Sequence, residues 1–459
     1  MTFWSPESLR AALGGTWVSL PTRAEVIGLS TDTRDLRPGQ VFLALAGDRF
    51  DGHAMLADAA HRGSPLAIID NPAAVRDVPE SLGLLRVTDT RRALMRLGEA
   101  YRRTALESTR VVAVGGSNGK TTTVRLIDAV LGQTLRGSAS IKSFNNSVGV
   151  PLTVLAARPG DQYLVAEIGT NARGEIAPLA SLVQPDIAVV VSIGREHLER
   201  LGSVREVAQE EASLLEPVRA GGAGIVNADA PHLDDAIAGL SRRPGSIIRF
   251  GEGKSADVRV VSVEATGTGQ RFRLNDRSEF EIPLLGRHNA INAAAAVAVG
   301  RRLGVPDEAI ARGLRSVHGA EMRLQPCEVR GIRIINDAYN ANPDSMRAAL
   351  VTLAEAGAGA RRRVAVLGDM LEMGEHREAV HREIGSLLAS MTDLDLVVLV
   401  GESMRLAGEA LNGRARHVPE LDPESAASVA AMLRPGDVVL LKGSRRMRLE
   451  RVEAALRAI

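Results

Sequence analysis

The chain is predicted to be an α/β protein of three domains in series, and three observations carry that reading. Short β-branched apolar runs alternate with Ala-rich helical stretches along the whole length. The alternation is interrupted twice, near residues 105 and 318, and restarts each time. The 459 residues amount to about three times the ~150-residue prior for one domain.

The first series runs through Val41–Leu45, Leu66–Ile69 and Leu84–Val87, and the polar stretch Thr104–Thr109 closes it, giving a small α/β domain over 1–105. From Arg110 the strands lengthen, at Val111–Val114, Tyr163–Ala166 and Ile187–Ile193. Near-continuous Val/Ile runs separated by helices imply a parallel sheet covered on both faces, here over 106–318. The third series, Ile332–Ile335, Val364–Leu367, Leu396–Val400 and Val438–Leu441, has a helical segment after each strand, as in a doubly wound, Rossmann-like domain over 319–459.

Hydrophobic residues make up 45% and charged ones 24%, so disorder is not indicated. Aromatics at 3% leave the core to Ala, Val, Leu and Ile. A formal charge of +1 provides no field that argues for nucleic acid or a membrane surface. The single cysteine, Cys327, excludes an internal disulfide, fits a reducing cytosol and reads as a small hydrophobe rather than a nucleophile. The N-terminus MTFWSPESLR lacks the pattern of a signal peptide, and no run approaches ~18 apolar residues. A soluble, cytoplasmic, monomeric protein without membrane insertion is expected.

The chemistry centres on Val111–Thr123, VVAVGGSNGKTTT. A strand feeds a glycine-rich turn in which the backbone N–H groups of Gly116, Ser117, Asn118 and Gly119 can cradle phosphates. Lys120, Thr121 and Thr122 then open a helix, with Lys120 set to reach the outer phosphates and Thr121 to hold Mg²⁺. Val114 stands where the common loop has glycine, so this is a shortened relative of that loop. The central sheet is therefore expected to be of the phosphate-loop ATPase type.

Glu167 ends the run Tyr163–Ala166 and so lies at the carboxyl end of a strand, where an acid can take Mg²⁺. Ser203 and Glu206 form an S-x-x-E capping box that opens a helix carrying Glu210 and Glu211. By themselves those adjacent glutamates read as a solvated face, and His197 as a packed or solvated histidine. His288, Asn289 and Asn292 open another helix; they could meet an adenine edge, but locally helix-entry capping is the better reading. Arg323, then Asn336, Asp337, Tyr339, Asn340 and Asn342 in front of Pro343, carry more polar groups than a capped turn needs. LGDMLEMGEHR and LKGSRRMRLE follow two strands of the same domain and suggest a shared cleft, where Lys442 with Arg445 could hold a carboxylate.

With these motifs in place the chain resembles the ATP-dependent Mur ligases, whose phosphate loop has the form T-G-[ST]-[NS]-G-K-T. The likeness covers nearly the whole chain. STDTRDLRPGQVFLALAGDRFDGH is similar to the uridine-diphosphate-sugar segment, NNSVGVPLT to a substrate loop and GRHNAINAAAA to the adenine segment. YNANPDSM, GDMLEMGEH and KGSR are most particular to the dipeptide-adding member, and the D-N-P-R motif of a sister enzyme is absent.

The resemblance implies ATP and two Mg²⁺ ions as cofactors, and UDP-N-acetylmuramoyl-tripeptide and D-alanyl-D-alanine as substrates. It places the sugar nucleotide on the N-terminal domain, ATP on the central one and the incoming dipeptide on the C-terminal one. Lys120, His197 and Glu211 would be catalytic; Thr121 and Glu167 would bind one magnesium, and His197 with Glu211 the second. Asn289 or Asn292, beside His288, would meet adenine, Arg323 the phosphates and Asp337 the ribose. Substrate contacts would come from Ser30, Thr31, Asp32, Arg34, Gly47, Asp51, His53, Asn145 and Asn146, and from Tyr339, Asn340, Asn342, Lys442 and Ser444.

Three positions depart from the family pattern. Glu211 aligns with a lysine that many relatives carbamylate, so activity is expected to be independent of CO₂. Asn336-Asp337 replaces an acidic pair, leaving one carboxylate for the ribose. Gly115 replaces a threonine and is expected to loosen the turn. Within the same chemistry the alternatives are another Mur ligase or a folylpolyglutamate synthase, against which the missing D-N-P-R and the STDTR…DGH segment argue. In a different class stands a nucleotide-hydrolysing regulator, which would need no third domain with its own polar cleft.

Overall fold

The computed structural model describes residues 3–21, 25–47, 50–76, 78–141 and 143–458. Asp48 and Arg49 of the STDTR…DGH segment, and Met1 and Thr2 of the amino-terminal stretch, lie outside the described residues. The chain packs as two compact units. One comprises Met1–Ala113, Leu135–Thr170 and Glu175–Asp186; the other comprises Val114–Thr134, Asn171–Gly174 and Ile187–Ile459.

In the first unit a five-stranded sheet runs in the order Thr16–Ser19, Gly83–Arg86, Leu66–Ile69, Val41–Leu43, Leu29–Ser30. All pairings are parallel except that of Thr16–Ser19 with Gly83–Arg86. Leu66–Ile69, with a strand on either side, is buried at every residue, whereas the edge strand Thr16–Ser19 alternates exposure. The helix Thr90–Thr104 is capped by Asp89 and carries the buried Arg102. Arg102 Nε donates to Val183 O (2.8 Å), and its Nη2 lies 3.7 Å from Asp186, which also accepts the Val111 N–H (2.9 Å). A buried guanidinium is tolerable there because carbonyls and a carboxylate surround it. In the same unit Tyr163–Glu167 pairs in parallel with Gly137–Ala139 and ends, fully buried, at Glu167.

The second unit begins with the phosphate-loop helix Lys120–Leu131. Its first strands, Ile187–Val190, Ala223–Asn227 and Ser246–Gly251, pair in parallel. Ile187–Val190 is shorter than the apolar run because the next residues turn to line the phosphate loop, with Ser192 O accepting the Ser117 N–H (2.8 Å). Beyond them Val258–Ala265, Gln270–Leu274 and Glu279–Ile282 form an antiparallel meander. Sequence reading missed it, since its half-exposed strands lack the long apolar runs of a sheet covered on both faces.

A six-stranded sheet follows in the order Gln325–Val329, Ile332–Asp337, Asp437–Lys442, Arg362–Gly368, Leu396–Val400, Ala415–Val418. It is parallel apart from its first strand, and Asp437–Lys442 at its centre is buried at every residue. Apolar cores cover both faces, one around Leu350, Leu367 and Ile384, the other around Val366, Val439 and Val452. The carboxyl ends of Ile332–Asp337, Arg362–Gly368 and Asp437–Lys442 thus lie side by side, where an open α/β sheet places its ligand.

Candidate active site

The strand Arg110–Gly115 ends in a turn whose two tight points are glycines. Gly116 has φ +125°, and a Cβ there would lie 2.8 Å from Ser192 N. Gly119 has φ +85°, and a Cβ there would lie 2.9 Å from Asn292 Nδ2. Gly115 instead belongs to the strand, so the expected loosening of the turn does not arise at that residue.

Three of the loop's N–H groups have partners within the fold. Gly116 N donates to Glu211 Oε2 (2.6 Å), Ser117 N to Ser192 O (2.8 Å) and Asn118 N to Ser192 Oγ (2.8 Å). No side chain caps the helix that starts at Lys120, so the N–H groups of its first turn have no capping side chain. Lys120 folds back over the turn: its Nζ donates to Gly116 O and to Ser117 O (3.3 Å) and lies 3.7 Å from Glu196 Oε1.

Two carboxylates stand buried beside that ammonium. Glu211 is 0% exposed, so the reading of Glu210 and Glu211 as a solvated face is overturned. Their helix, Val204–Ala212, turns them inward, and Glu210 accepts the Gly174 N–H (2.7 Å). The helix is capped by Ser203, which accepts from Glu206 N (3.4 Å); Glu206 answers with the Ser203 hydroxyl (3.1 Å) and Arg173, a looser arrangement than a full capping box. Burial pushes the Glu211 carboxyl up to about 8, opposed by Lys120 and reinforced by Glu196. Burial raises Glu196 as well, with Lys120 and His197 opposing.

Oε1 of Glu196 and Oε1 of Glu211 are buried without a hydrogen-bond partner. Uncommitted buried carboxylate oxygens are what a hard divalent cation requires, so the residues present fit magnesium. Among the described residues no three His, Cys, Asp or Glu side chains stand together as a ready-made site. Glu196 escaped sequence reading, although its place directly before His197 was the available signal.

His197 adopts a left-handed backbone (φ 50°) at the start of the short helix Leu198–Leu201. Its Nδ1 lies 2.6 Å from Glu372 Oε2 and its Nε2 4.0 Å from Glu196 Oε2. In the other unit Glu167 accepts from Asn145 Nδ2 (2.9 Å), and its backbone N–H donates to Ser140 Oγ (2.9 Å).

The helix Arg287–Arg302 is capped by Gly286, not by His288, Asn289 or Asn292, so the local capping reading fails. Asn289 Nδ2 donates to Leu285 O (2.7 Å) and Asn292 Nδ2 to Asn289 Oδ1 (3.1 Å), which orients both amides and holds that of Asn292 beside Gly119. Burial lowers the His288 imidazole below its ordinary range, with Asp337 opposing and Lys442 adding to the effect.

At the third sheet, Lys442 is buried and engaged within the fold. Its Nζ donates to Asp337 Oδ2 (2.6 Å) and Asn340 O (3.1 Å), because a buried ammonium at a strand end must find partners there. Asp337 also accepts the Leu324 N–H (3.0 Å). The Arg323 guanidinium lies 4.2 Å from the Tyr339 ring centroid. Asn336 is buried and donates to Glu453 (2.9 Å). Asn342 caps Pro343–Ala356 in a capping box with Ser345, and its Nδ2 donates to Asn118 Oδ1 (2.9 Å). Ser444 joins the two glycine-bearing turns, its N–H donating to Asp369 O (3.0 Å) and its Oγ accepting the Leu371 N–H (2.9 Å). The two turns therefore lie against each other at the carboxyl end of the sheet.

The N-terminal candidates and Asn146 are held by local contacts. Asp32 pairs with Arg34 (2.6 Å) beside Ser30 and the half-buried Thr31. Gly47 lies on the two-residue strand that pairs with Phe50–Asp51. Buried His53 lies between Asp51 (2.6 Å) and Asp70 (3.2 Å). Asn146 accepts the N–H groups of Val148 and Gly149, opening the helix Gly149–Ala156.

The chain has relatives among known proteins. The Mur ligase middle domain matches residues 114–300, and the Mur ligase, glutamate ligase domain matches residues 322–445. A UDP-N-acetylmuramoyl-tripeptide D-alanyl-D-alanine ligase of Bacillus subtilis is 36% identical over 432 residues, covering 93% of this chain and 92% of its own. The chain belongs to the Mur ligase family. The Escherichia coli protein of the same name is 33% identical, covering 93% of both chains. Among solved structures, MurF from Acinetobacter baumannii superposes with a TM-score of 0.87 at 31% identity, covering 99% of each chain. MurF from Thermotoga maritima in complex with ADP gives 0.79 at 25% identity, covering 94% of this chain and 97% of that one. These matches establish the three-domain Mur ligase architecture for this chain.

Proposed function

We propose that this Mur ligase joins D-alanyl-D-alanine to UDP-N-acetylmuramoyl-tripeptide at the expense of ATP, in the synthesis of peptidoglycan precursors. The terminal carboxylate of the bound tripeptide attacks the γ-phosphate, giving an acyl phosphate and ADP. The dipeptide amine attacks the acyl carbon, and the tetrahedral intermediate expels phosphate to leave an amide. No protein nucleophile is required. Catalysis rests on positioning and on neutralising the charge that gathers between carboxylate and phosphate.

The observation that carries the reading is Lys120, held between its own loop and Glu196 with the uncapped helix N-terminus beside it. Magnesium, when bound, supplies electrostatic stabilisation of the phosphates; Thr121 with Glu167, and His197 with Glu211, are the residues assigned to its two sites. Asn289 and Asn292, with His288, are assigned to adenine, Arg323 to phosphate and Asp337 to the ribose. Ser444 and Lys442 are assigned to the dipeptide, and Arg445, paired with Glu450 (2.6 Å) but with a side chain 51% exposed, would exchange that partner for the dipeptide carboxylate. The division into 1–105, 106–318 and 319–459 assigns sugar nucleotide, ATP and dipeptide to successive domains.

Action as a monomer in the cytoplasm completes the proposal. Among the described residues no helix is long and apolar enough to cross a membrane. A coupled assay tests the reading. Phosphate release that depends on both the UDP-muramoyl tripeptide and D-alanyl-D-alanine is expected; release with ATP alone would overturn it.

A further inference from the structure

The turn after the strand Arg362–Gly368 reaches the segment 197–199 at three points. Glu372 Oε2 lies 2.6 Å from His197 Nδ1. Glu372 O accepts the Glu199 N–H (3.3 Å). Gly374 packs so closely that a Cβ on it would lie 3.0 Å from the Glu199 Cα. Glu372 holds this position in a left-handed backbone (φ 64°), a conformation that costs a residue with a Cβ on the order of 1 kcal/mol. At its other end the same turn is pinned by Met370 N to His381 Nε2 (3.1 Å) and by Leu371 N to Ser444 Oγ (2.9 Å).

We infer that Glu372 is a positioning residue for His197. Its carboxylate accepts from Nδ1–H, which keeps a proton on that nitrogen and turns Nε2 towards Glu196, whose Oε2 lies 4.0 Å away. A metal-binding imidazole needs such an outer partner to fix its tautomer and ring angle. The partner here comes from the turn that also touches Ser444, in the cleft assigned to the dipeptide. Seating of that turn therefore prepares His197 to ligate, linking the amine-delivering domain to the site where phosphate charge is neutralised. This inference rests on the assignment of His197 to magnesium made above. It adds a residue and a coupling which that assignment does not contain.

The test uses the full-length enzyme labelled with ¹⁵N-histidine, with the His197 signals identified by their loss in His197→Gln. The wild type is expected to show the Nδ1–H tautomer at this residue. Glu372→Ala is expected to shift it towards Nε2–H and to weaken Mn²⁺ binding in the presence of ADP by about 10–100-fold. Glu372→Gln, whose amide oxygen still accepts from Nδ1–H, should keep the wild-type tautomer and bind Mn²⁺ within a few-fold of wild type. Because the Glu372 side chain is 59% exposed, its removal should leave the thermal unfolding midpoint in place. An unchanged tautomer together with unchanged Mn²⁺ affinity in Glu372→Ala would overturn the inference. Failure of the wild-type enzyme to consume D-alanyl-D-alanine would instead overturn the proposed reaction, an outcome the spectra report on separately.

Discussion

Glu211 Oε2 accepts the backbone N–H of Gly116 at 2.6 Å, so a carboxylate from one helix closes the base of the phosphate loop while its second oxygen is left without a partner. A single side chain thereby shapes the loop and offers an oxygen to a cation. Glu211→Ala removes both, and kcat is expected to fall by about 10–100-fold, with a raised magnesium requirement measured in steady-state assays. Since the carboxylate is encoded, activity should be the same in CO₂-free buffer and in bicarbonate. Stimulation by bicarbonate, or a carbamate on any lysine, would refute that part.

Lys120 lies against both the loop carbonyls and Glu196. Lys120→Ala should lower turnover by on the order of 10³-fold while leaving the affinity for the UDP-muramoyl substrate within a few-fold, as read by calorimetry. Loss of sugar-nucleotide binding would reassign the domain roles.

Arg195 bonds Asp344 (2.8 Å) and Glu383 (2.6 Å), and Glu383 also takes Arg347 (2.7 Å). The Arg195 hydrogen bond holds the Glu383 carboxyl below its ordinary value. A carboxylate with a depressed folded-state pKa contributes stability that is present above its unfolded value of about 4.5 and is lost as pH falls through the folded one. Arg195→Ala should cost about 1 kcal/mol at pH 7, discounted for partial exposure, and the difference from wild type should shrink as the pH falls below the ordinary carboxyl value of 4.5 in urea titrations. A difference that grows on acidification would contradict the pairing.

Lys442 and Asp337 form a nearly buried pair at 2.6 Å, with side chains 3% and 14% exposed. Lys442→Met leaves Asp337 charged and unpaired, so a loss of about 3–5 kcal/mol in unfolding free energy is expected. The double variant Lys442→Met with Asp337→Asn should recover much of it. If the single variant is as stable as wild type, the pair is not structural.

Much of the site was legible because its signals are local. VVAVGGSNGKTTT marks a strand, a glycine turn and a helix start, and the helix does begin at Lys120. Asn342-Pro343 likewise marks a cap and a first turn, and the structure has both. The bland reading of Glu210 and Glu211 failed for the opposite reason. Adjacent glutamates look the same whether a helix faces water or the underside of a loop 95 residues upstream. His288, Asn289 and Asn292 were misread as caps because Gly286, with no side chain to signal its role, takes that place.

The sequence by itself determined the α/β series, the phosphate loop and the family, since backbone preferences and motif spacing act over a few residues. Only the tertiary structure decided which polar groups lose water and whom they meet. Lys442 turns inward to Asp337 across 105 residues, and His197 meets Glu372 from a different sheet. A charge's burial and partner are set by the packing of distant elements, and the cost of leaving a buried charge alone is what makes those pairings specific.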